Sequence, residues 1–368
     1  MSPRERVLTA LDHREPDRVP IDYWAVEAVT ERLMMERGLE DKDALLEALG
    51  VDLRYHMGPA YVGRALRTFE DGTVEDHWGV PRTWMTVDGV RRDGQPWSWR
   101  YKHVDRPPLA QMTRVAEIDA YPLWPTTDMF DYSRIGEACA TMRQAGYTVV
   151  IGADRLDRAA QLKPAMYVRG AEQFLVDLMT EPAVGECILD HIVSFYLAHY
   201  ERIFEATRGL ADVFFMGDDM GTQTGPWVSP EMYRRFFKAN FARFNELGHR
   251  YGLRTMYHTC GNVTDLVGDF VDAGLDVLQS LQPQAGMDLE WLKREYGQDL
   301  CFQGGIDIQQ VLPHGTPAEV RSHVADRARI MAPGGGYIFG TAHNLLPDVP
   351  TENVWALFDA YQEFGKYR

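Results

Sequence analysis

Short apolar segments alternate with amphipathic helical segments along the chain, and this alternation constrains the fold more than any other feature of the sequence. Strands that alternate with helices form parallel βα units. Eight such units in a chain of 368 residues predict a closed (β/α)8 barrel, the TIM barrel of the α/β class. An open, doubly wound sheet is the alternative, but no Gly-x-Gly-x-x-Gly pattern follows the first strand, and that disfavours it. The predicted strands cover residues 19–24, 51–55, 148–152, 213–217, 255–260, 276–281, 300–304 and 337–340.

The helices between these strands carry recognisable end signals. The clearest helix is predicted over 229–251, where Ser229 can cap the first turn, Pro230 suits the first helical position and Gly252 ends the helix. At the N-terminus, Ser2 and Glu5 have the spacing of a capping box.

The region 60–110 departs from this pattern. It alternates apolar and polar residues with a period of two, and it contains Asp-Gly turn signals at 88–89 and 93–94. Both features are typical of β-hairpins. We therefore predict a β-hairpin insertion in a single domain that spans residues 1–368.

Charge and cysteine content limit the partners and the compartment. The chain has 54 acidic and 38 basic residues and a formal net charge of −16, so we expect neither nucleic acid nor an anionic membrane as a partner. No segment approaches the roughly 20 apolar residues that span a bilayer, and the N-terminus lacks the apolar part of a secretion signal. Sparse cysteines without a Cys-x-x-Cys pair favour a reducing compartment, so we expect a cytoplasmic protein. The cysteines are Cys139, Cys187, Cys260 and Cys301.

The search for chemistry starts at the carboxyl ends of the strands, where barrel enzymes place their active sites. His258 and Cys260 lie two residues apart in one strand and so face the same side. Imidazole and thiolate are ligands that zinc prefers. His343 follows the last strand and can complete a His/Cys/His set. The alternatives are a satisfied core histidine, a buried cysteine and a loop histidine bonded to the backbone.

Carboxylates follow another strand end. Asp218 and Asp219 stand after an apolar strand in a glycine-rich loop, and carboxylates at such a position serve as general acid–base groups or as metal ligands. Adjacent side chains point apart, so one of the two can enter the barrel mouth while the other holds the loop. The alternative is an Asx-turn with helix capping.

Two further strand ends carry candidate substrate-binding residues. Gln303 and Asp307 flank two glycines that permit a ligand to approach the backbone, although Asp307 could equally cap the next helix. Asp154 and Arg155 follow the strand at 148–152. Arg155 would suit a substrate that carries a carboxylate, and a surface ion pair is the alternative.

With these motifs in place, the chain resembles the uroporphyrinogen decarboxylase superfamily over essentially its whole length. The resemblance implies a (β/α)8 barrel, in agreement with the strand count. The segments that carry it are residues 4–11, 15–20, 217–226, 229–233, 258–261 and 304–307.

The superfamily contains metal-free porphyrinogen decarboxylases and zinc-dependent methyltransferases that serve corrinoid proteins. The decarboxylases carry an Arg-Gln-Ala-Gly-Arg segment after the first strand, whose arginines bind substrate carboxylates. Residues 23–29 of this chain read Tyr-Trp-Ala-Val-Glu-Ala-Val, so both arginines are absent. This difference disfavours a decarboxylase. We expect Tyr23, which opens the segment, to contact the substrate.

The methyltransferase branch carries a His-x-Cys pair and a third cysteine after the last strand. His258 and Cys260 match the pair, and His343 stands where the third cysteine is expected. Cys301 is a poorer third ligand because it begins its strand at the other end of the barrel. Zinc held by two imidazoles and one thiolate would carry a charge of about +1, which favours polarising an ether oxygen or a nitrogen over activating a thiol.

The resemblance therefore implies a zinc-dependent methyltransferase or demethylase that acts with a corrinoid protein or cobalamin on a small methylated substrate. In this hypothesis His258, Cys260 and His343 hold the zinc, and Asp218 or Asp219 orients the substrate or handles its proton. One alternative is a metal-free decarboxylase that uses Asp218, Asp219 or Asp307. Another is a barrel that binds a corrinoid or another small ligand without catalysis.

Overall fold

The computed structural model describes residues 1–152 and 158–367 and contains twelve strands in these ranges. Seven of them form one parallel sheet in the order β1-β7-β8-β9-β10-β11-β12, and the others form two small outer sheets. The strands are β1 (Leu53–His56), β2 (Ala60–Tyr61), β3 (Val74–Glu75), β4 (Pro81–Val90), β5 (Pro96–Val104), β6 (Phe130–Asp131), β7 (Thr148–Ile151), β8 (Val213–Gly217), β9 (Arg254–His258), β10 (Val277–Leu281), β11 (Cys301–Ile306) and β12 (Tyr337–Thr341).

Helices connect the strands of the large sheet, as the alternation predicts. The helices are α1 (Pro3–Leu11), α2 (Glu27–Arg37), α3 (Lys42–Ala48), α4 (Val115–Asp119), α5 (Ile135–Gln144), α6 (Leu162–Arg169), α7 (Ala171–Thr180), α8 (Pro182–Ala206), α9 (Pro230–Phe236), α10 (Lys238–Arg250), α11 (Val267–Asp272), α12 (Leu289–Tyr296), α13 (Val311–His314), α14 (Pro317–Met331) and α15 (Thr351–Phe364). None of the described helices is long and apolar enough to cross a membrane.

The sheet curls until one segment contacts both of its edges. At the β12 edge the amide of Phe339 donates to the carbonyl of Pro20, and the amide of Asp22 donates to the carbonyl of Phe339. At the other edge the amide of Asp52, just before β1, donates to the carbonyl of Ile21. The strand predicted at 19–24 is therefore present only as isolated parallel bridges. Pro20 lacks an N–H group and cannot extend a regular ladder.

Two separate apolar clusters lie on the two faces of the sheet. Phe214 of β8 faces outward and packs against Tyr200 of α8, with ring centroids 4.6 Å apart. Phe215 faces the interior, in a cluster that includes Val7 and Leu11 of α1. Because α1 fills the amino-terminal end of the interior, the polar side chains of the curled sheet collect at its carboxyl end.

The predicted helix ends are confirmed, with one correction inside the long helix. Ser2 and Glu5 form the capping box of α1, and the Ser229 hydroxyl accepts from the amide of Met232. The helix predicted over 229–251 is interrupted at Phe237, whose φ of −119° separates α9 from α10. The carbonyl of Phe237 accepts a hydrogen bond from the side-chain amide of Gln161, a partner from outside the helix.

Strands β4 and β5 pair antiparallel from Arg82 with Val104 to Val90 with Pro96. The rings of Trp99 and Tyr101 stack at 4.9 Å on this hairpin. That the hairpin is an insertion into the barrel stays a prediction, as does the single domain over the whole chain.

Candidate active site

Two histidines and a cysteine meet at the carboxyl end of the sheet. His258 is the last residue of β9, Cys260 follows two residues later, and His343 lies two residues beyond β12. The Cys260 Sγ is 3.3 Å from the Nε2 of His258. One ligand atom from each of the three residues lies within 4.8 Å of the others. We call these three residues the ligand triad.

The orientation of His258 is determined by its neighbours. Its Nδ1 is hydrogen-bonded to the Oε1 of Gln279, the residue paired with it on β10, and this leaves Nε2 facing Cys260. The indole of Trp24 stacks on the imidazole at 5.4 Å with an interplanar angle of 16°. Burial, reinforced by the positive charge of Arg158, lowers the pKa of His258 well below its usual value, so the imidazole is neutral.

The sulfur of Cys260 lies in surroundings that disfavour a thiolate in the absence of a cation. Burial and the nearby Asp219 carboxylate raise the pKa of the Cys260 thiol well above its usual range. A cation beside the sulfur would reverse this preference, because a coordinated thiol loses its proton.

The two adjacent aspartates differ in their surroundings. The carboxylate of Asp218 is 2% exposed and accepts from the backbone amides of Gln161, Leu162 and Lys163 around the start of α6. Burial raises the pKa of Asp218. The side chain therefore holds the loop, as the capping interpretation predicts.

Asp219 instead borders the ligand triad. Its Oδ2 lies 2.5 Å from the Nζ of Lys163, and its Oδ1 lies 3.6 Å from the Nε2 of His258. The amide of Cys260 points at the same Oδ1 from 3.4 Å. Burial opposes ionisation, but the charge of Lys163 outweighs it and lowers the pKa of Asp219 below the usual range.

The backbone beside the triad is strained at Ser280. This residue has a φ of +79°, which side-chain-bearing residues rarely adopt, and the pairing register of β10 shifts around it. The Ser280 hydroxyl donates to the carbonyl of Ala342, next to His343. The bulge thus connects β10 directly to the loop that carries the third member of the triad.

A buried polar network lies below the triad. The Oδ2 of Asp22 accepts from the Tyr55 hydroxyl at 2.6 Å and from the Gln303 side-chain amide at 2.8 Å. The Tyr55 oxygen accepts in turn from the indole N–H of Trp24 at 3.2 Å. Burial raises the pKa of Asp22 to about 6.

Other residues that we predicted at the site have different surroundings. Tyr23 does not join the triad: its hydroxyl bonds Thr30 of α2 and its ring packs on Phe358 of α15. Its neighbours Asp22 and Trp24 face the interior instead, because alternate residues of an extended segment point to opposite sides.

Asp307 accepts from the amides of Gln309 and Gln310 and so caps the turn after β11. Gln303 reaches the site only through its bond to Asp22. Asp154 and Arg155 lie outside the described residues.

Sequence reasoning missed several neighbours of the triad, which are Asp22, Trp24, Tyr55, Arg158, Lys163 and Gln279. Gln279 had a usable signal, since it is a polar residue inside an otherwise apolar strand. Lys163 and Arg158 had none, because neither stands at a strand end.

Comparison with known proteins places the chain in a family. A family model described as "Uroporphyrinogen decarboxylase (URO-D)" matches residues 159–364, more than half of the chain. The solved structure of a methyltransferase from Methanosarcina mazei superposes with a TM-score of 0.65 over 99% of both chains at 20% identity. At that identity the likeness shows the fold alone.

Curated relatives include both decarboxylases and methyltransferases. The uroporphyrinogen decarboxylase of Pseudoalteromonas translucida is 35% identical over 73 residues, or 20% of each chain. The "Methylated-thiol--coenzyme M methyltransferase" of Methanosarcina mazei is 24% identical over 199 residues, 54% of this chain and 50% of that one. The "Methylcobamide:CoM methyltransferase MtaA" of Methanosarcina barkeri is 26% identical over 156 residues, 42% of each. The chain thus spans half the length of these relatives or less.

Proposed function

This chain belongs to the uroporphyrinogen decarboxylase family, and from that premise we propose that it is a zinc-dependent methyltransferase or demethylase. It acts with a corrinoid protein or cobalamin on a small methylated substrate. The observation that carries the proposal is the ligand triad, in which two imidazoles and a thiol offer donor atoms within 4.8 Å of one another. The two methyltransferases among its relatives support the same reaction class.

The triad fits zinc in spacing and in chemistry. Donor atoms around tetrahedral zinc lie roughly 3.3–3.8 Å apart, given bond lengths of about 2.0–2.3 Å, and the triad approaches this spacing. His258 is neutral and has its second ring nitrogen bound to Gln279, as metal-ligating histidines require. His258, Cys260 and His343 would hold the ion with one position left for substrate. When bound, the ion supplies Lewis-acid polarisation of the substrate heteroatom.

The ligand set favours a substrate whose methyl group is attached to oxygen or nitrogen. Two neutral imidazoles and one thiolate leave a net charge of about +1 on the centre, whereas a second thiolate would neutralise it. A methyl ether is the simplest substrate that benefits from this charge.

The two aspartates have different roles in this proposal. Asp219 is ionised by Lys163 and lies next to His258 and Cys260, so it orients the substrate at the mouth. Its lowered pKa makes it a weak base and a stable hydrogen-bond acceptor. Asp218 has no direct role, because three backbone amides occupy its carboxylate.

The segment 19–25 completes the barrel in this proposal. The segment forms bridges to β12 and a hydrogen bond to Asp52. It therefore occupies the gap between the two edges of the sheet, as an eighth strand would. The same segment carries Trp24 to the face of His258.

The decisive experiment is metal analysis of the purified protein. We expect about one equivalent of zinc in the wild type and a large loss in Cys260→Ala and in His343→Ala. Cys301→Ala is the matched control, since Cys301 lies at the other end of the interior against the carbonyls of Ala10 and Leu11. Full zinc content in Cys260→Ala would contradict the proposal.

Activity assays separate the proposal from the other interpretations. Transfer of methyl groups from ethers to cob(I)alamin supports it, and His343→Cys should shift the preference from ethers towards thiols. A uroporphyrinogen decarboxylase is the second candidate, favoured by the segment of 35% identity. Formation of coproporphyrinogen at about 1 per second or faster would establish that candidate instead. Bound zinc with neither activity would indicate a binding protein.

A further inference from the structure

Arg158 has unusual surroundings for a buried arginine. The residue is 7% exposed, and its Nε and Nη1 are buried without a hydrogen-bond partner among the described residues. Guanidinium groups are always charged and offer five N–H donors. A buried charge without a partner is strongly disfavoured, so a nearby anion is expected.

The other described arginines that are equally buried have an ion-pair partner that Arg158 lacks among the described residues. Each of them has a carboxylate within ion-pair distance. These pairs are Arg6 with Asp17 and Asp52, Arg54 with Asp43, Arg82 with Asp76, and Arg169 with Asp177. No described carboxylate lies within 4.0 Å of Arg158. Asp219, which borders the triad, is paired with Lys163.

The guanidinium lies beside the ligand triad. A Cβ atom built on Gly217, the last residue of β8, would lie 2.9 Å from the Cβ of His258 and 3.0 Å from the Cζ of Arg158. The two side chains therefore flank the same glycine. The guanidinium also lies 5.3 Å from the centroid of the Phe215 ring. The Phe215 ring in turn forms edge-to-face pairs with the rings of Tyr55 and Trp24.

From this geometry we propose that Arg158 binds an anionic oxygen group of the substrate, in the simplest case a carboxylate. The inference rests on the proposed function and narrows its substrate class to methylated acids. The methyl-bearing heteroatom faces the triad, while the acid group accepts from an unpartnered N–H donor of Arg158. A charged carboxylate makes a stronger hydrogen bond to the guanidinium than the uncharged oxygen of an amide does.

The test compares acids with their amides in binding to the zinc-loaded protein. The probes are acetate against acetamide and benzoate against benzamide, measured by isothermal titration calorimetry. We expect at least one acid to bind the wild type ten-fold or more tightly than its amide. Arg158→Gln should abolish that preference, and Arg158→Lys should retain part of it because the charge stays while the positions of the N–H donors change.

Arg202→Gln is the matched control, because Arg202 forms a surface ion pair with Asp128. It should keep the full preference for the acid. Zinc content and melting temperature are measured for every variant, so a misfolded Arg158→Gln is recognised, and the comparison of the wild type with Arg158→Lys then decides. Equal binding of acid and amide in the wild type, including binding of neither, overturns the inference, as does an unchanged preference in a folded Arg158→Gln.

These outcomes are distinguishable from failure of the proposed function. Zinc-loaded protein without a preference for acids contradicts only the role of Arg158. A wild type that holds no zinc contradicts the proposed function, while calorimetry on that protein still measures the preference at Arg158.

Discussion

At this site, the hydrogen bonds that a side chain makes are determined by the residue opposite it more than by its own residue type. Gln279 and Gln303 are both buried amides, and they are paired with each other on neighbouring strands. Gln279 bonds the ring of His258, whereas Gln303 bonds the carboxylate of Asp22. Only the first acts directly on a member of the ligand triad.

The first prediction concerns Gln279. Replacing it with leucine removes the acceptor for the Nδ1 of His258, so the imidazole loses its preferred tautomer and orientation. We expect zinc affinity to fall on the order of 10–100-fold, measured by competition with a chromophoric chelator. Gln303→Leu is the control and should change zinc affinity far less. Equal losses in the two variants would contradict a specific role of Gln279.

The second prediction concerns Asp22, whose pKa is about 6 in the folded protein against 3.8 for a free carboxyl. The folded state holds the proton more tightly, so the contribution of Asp22 to stability is greatest below about pH 4 and is lost as the pH rises through 6. An asparagine at this position does not titrate, so Asp22→Asn would not lose this stability as the pH rises through 6. Between pH 4.5 and 7, the free energy of unfolding of Asp22→Asn should rise by about 2 kcal/mol relative to the wild type. Urea unfolding at both pH values measures it, and a constant difference would refute it.

At the scale of elements, β10 is the strand that organises the site. Its Gln279 faces His258 of β9, and its next residue, Ser280, reaches across to the loop after β12. The left-handed φ of Ser280 produces the bulge that makes both contacts possible.

The third prediction uses two substitutions of Ser280. Ser280→Ala keeps the strained φ and leaves the Ala342 carbonyl without its donor, which should lower stability by about 1–3 kcal/mol. Ser280→Gly loses the same bond but relieves the strain. Its free energy of unfolding should therefore be about 1 kcal/mol higher than that of the alanine variant.

Both variants should also bind zinc on the order of ten-fold more weakly, since the loop of His343 loses its tie. Denaturant unfolding and chelator competition provide the two measurements. An alanine variant that equals the wild type in both would show that the bulge does not position His343.

At the scale of the whole molecule, a buried carboxylate lies where the segment 19–25 connects the two edges of the curled sheet. Asp52 lies just before β1 and is 1% exposed. It accepts from the Nη1 of Arg6 at 2.6 Å, from the Nη1 of Arg18 at 2.7 Å and from the amide of Ile21 at 2.8 Å. One side chain therefore connects α1, the segment that bridges the edges and the first strand.

The fourth prediction follows from this connection. Asp52→Ala leaves the guanidinium of Arg18 without its carboxylate and that of Arg6 with Asp17 alone, and we expect a loss of about 3–5 kcal/mol in the free energy of unfolding. Asp128→Ala removes the exposed partner of Arg202 and should cost less than about 1 kcal/mol. Denaturant unfolding compares the two variants. Similar losses in the two variants would mean that Asp52 does not stabilise the contact between the segment 19–25 and the sheet.

The sequence by itself determined the order of the strands along the chain and the end of the sheet at which His258, Cys260 and His343 lie. Apolar segments of four to eight residues between helical segments predict parallel strands, and seven of the eight predicted segments form the sheet. Period-two alternation placed His258 and Cys260 on one side, and parallel topology placed His343 at the same end. These inferences succeed because they depend on local periodicity and on the direction of strands.

Only the tertiary structure decided which side chains meet. Trp24 stacks on His258 because the sheet curls and brings the first segment across the mouth, an event that no local pattern records. The contacts of Asp218 and Asp219 differ because the start of α6 supplies amides to one and Lys163 to the other. Contacts between residues far apart in sequence depend on curvature and packing of the whole sheet, so neighbouring residues of the same type acquire different surroundings.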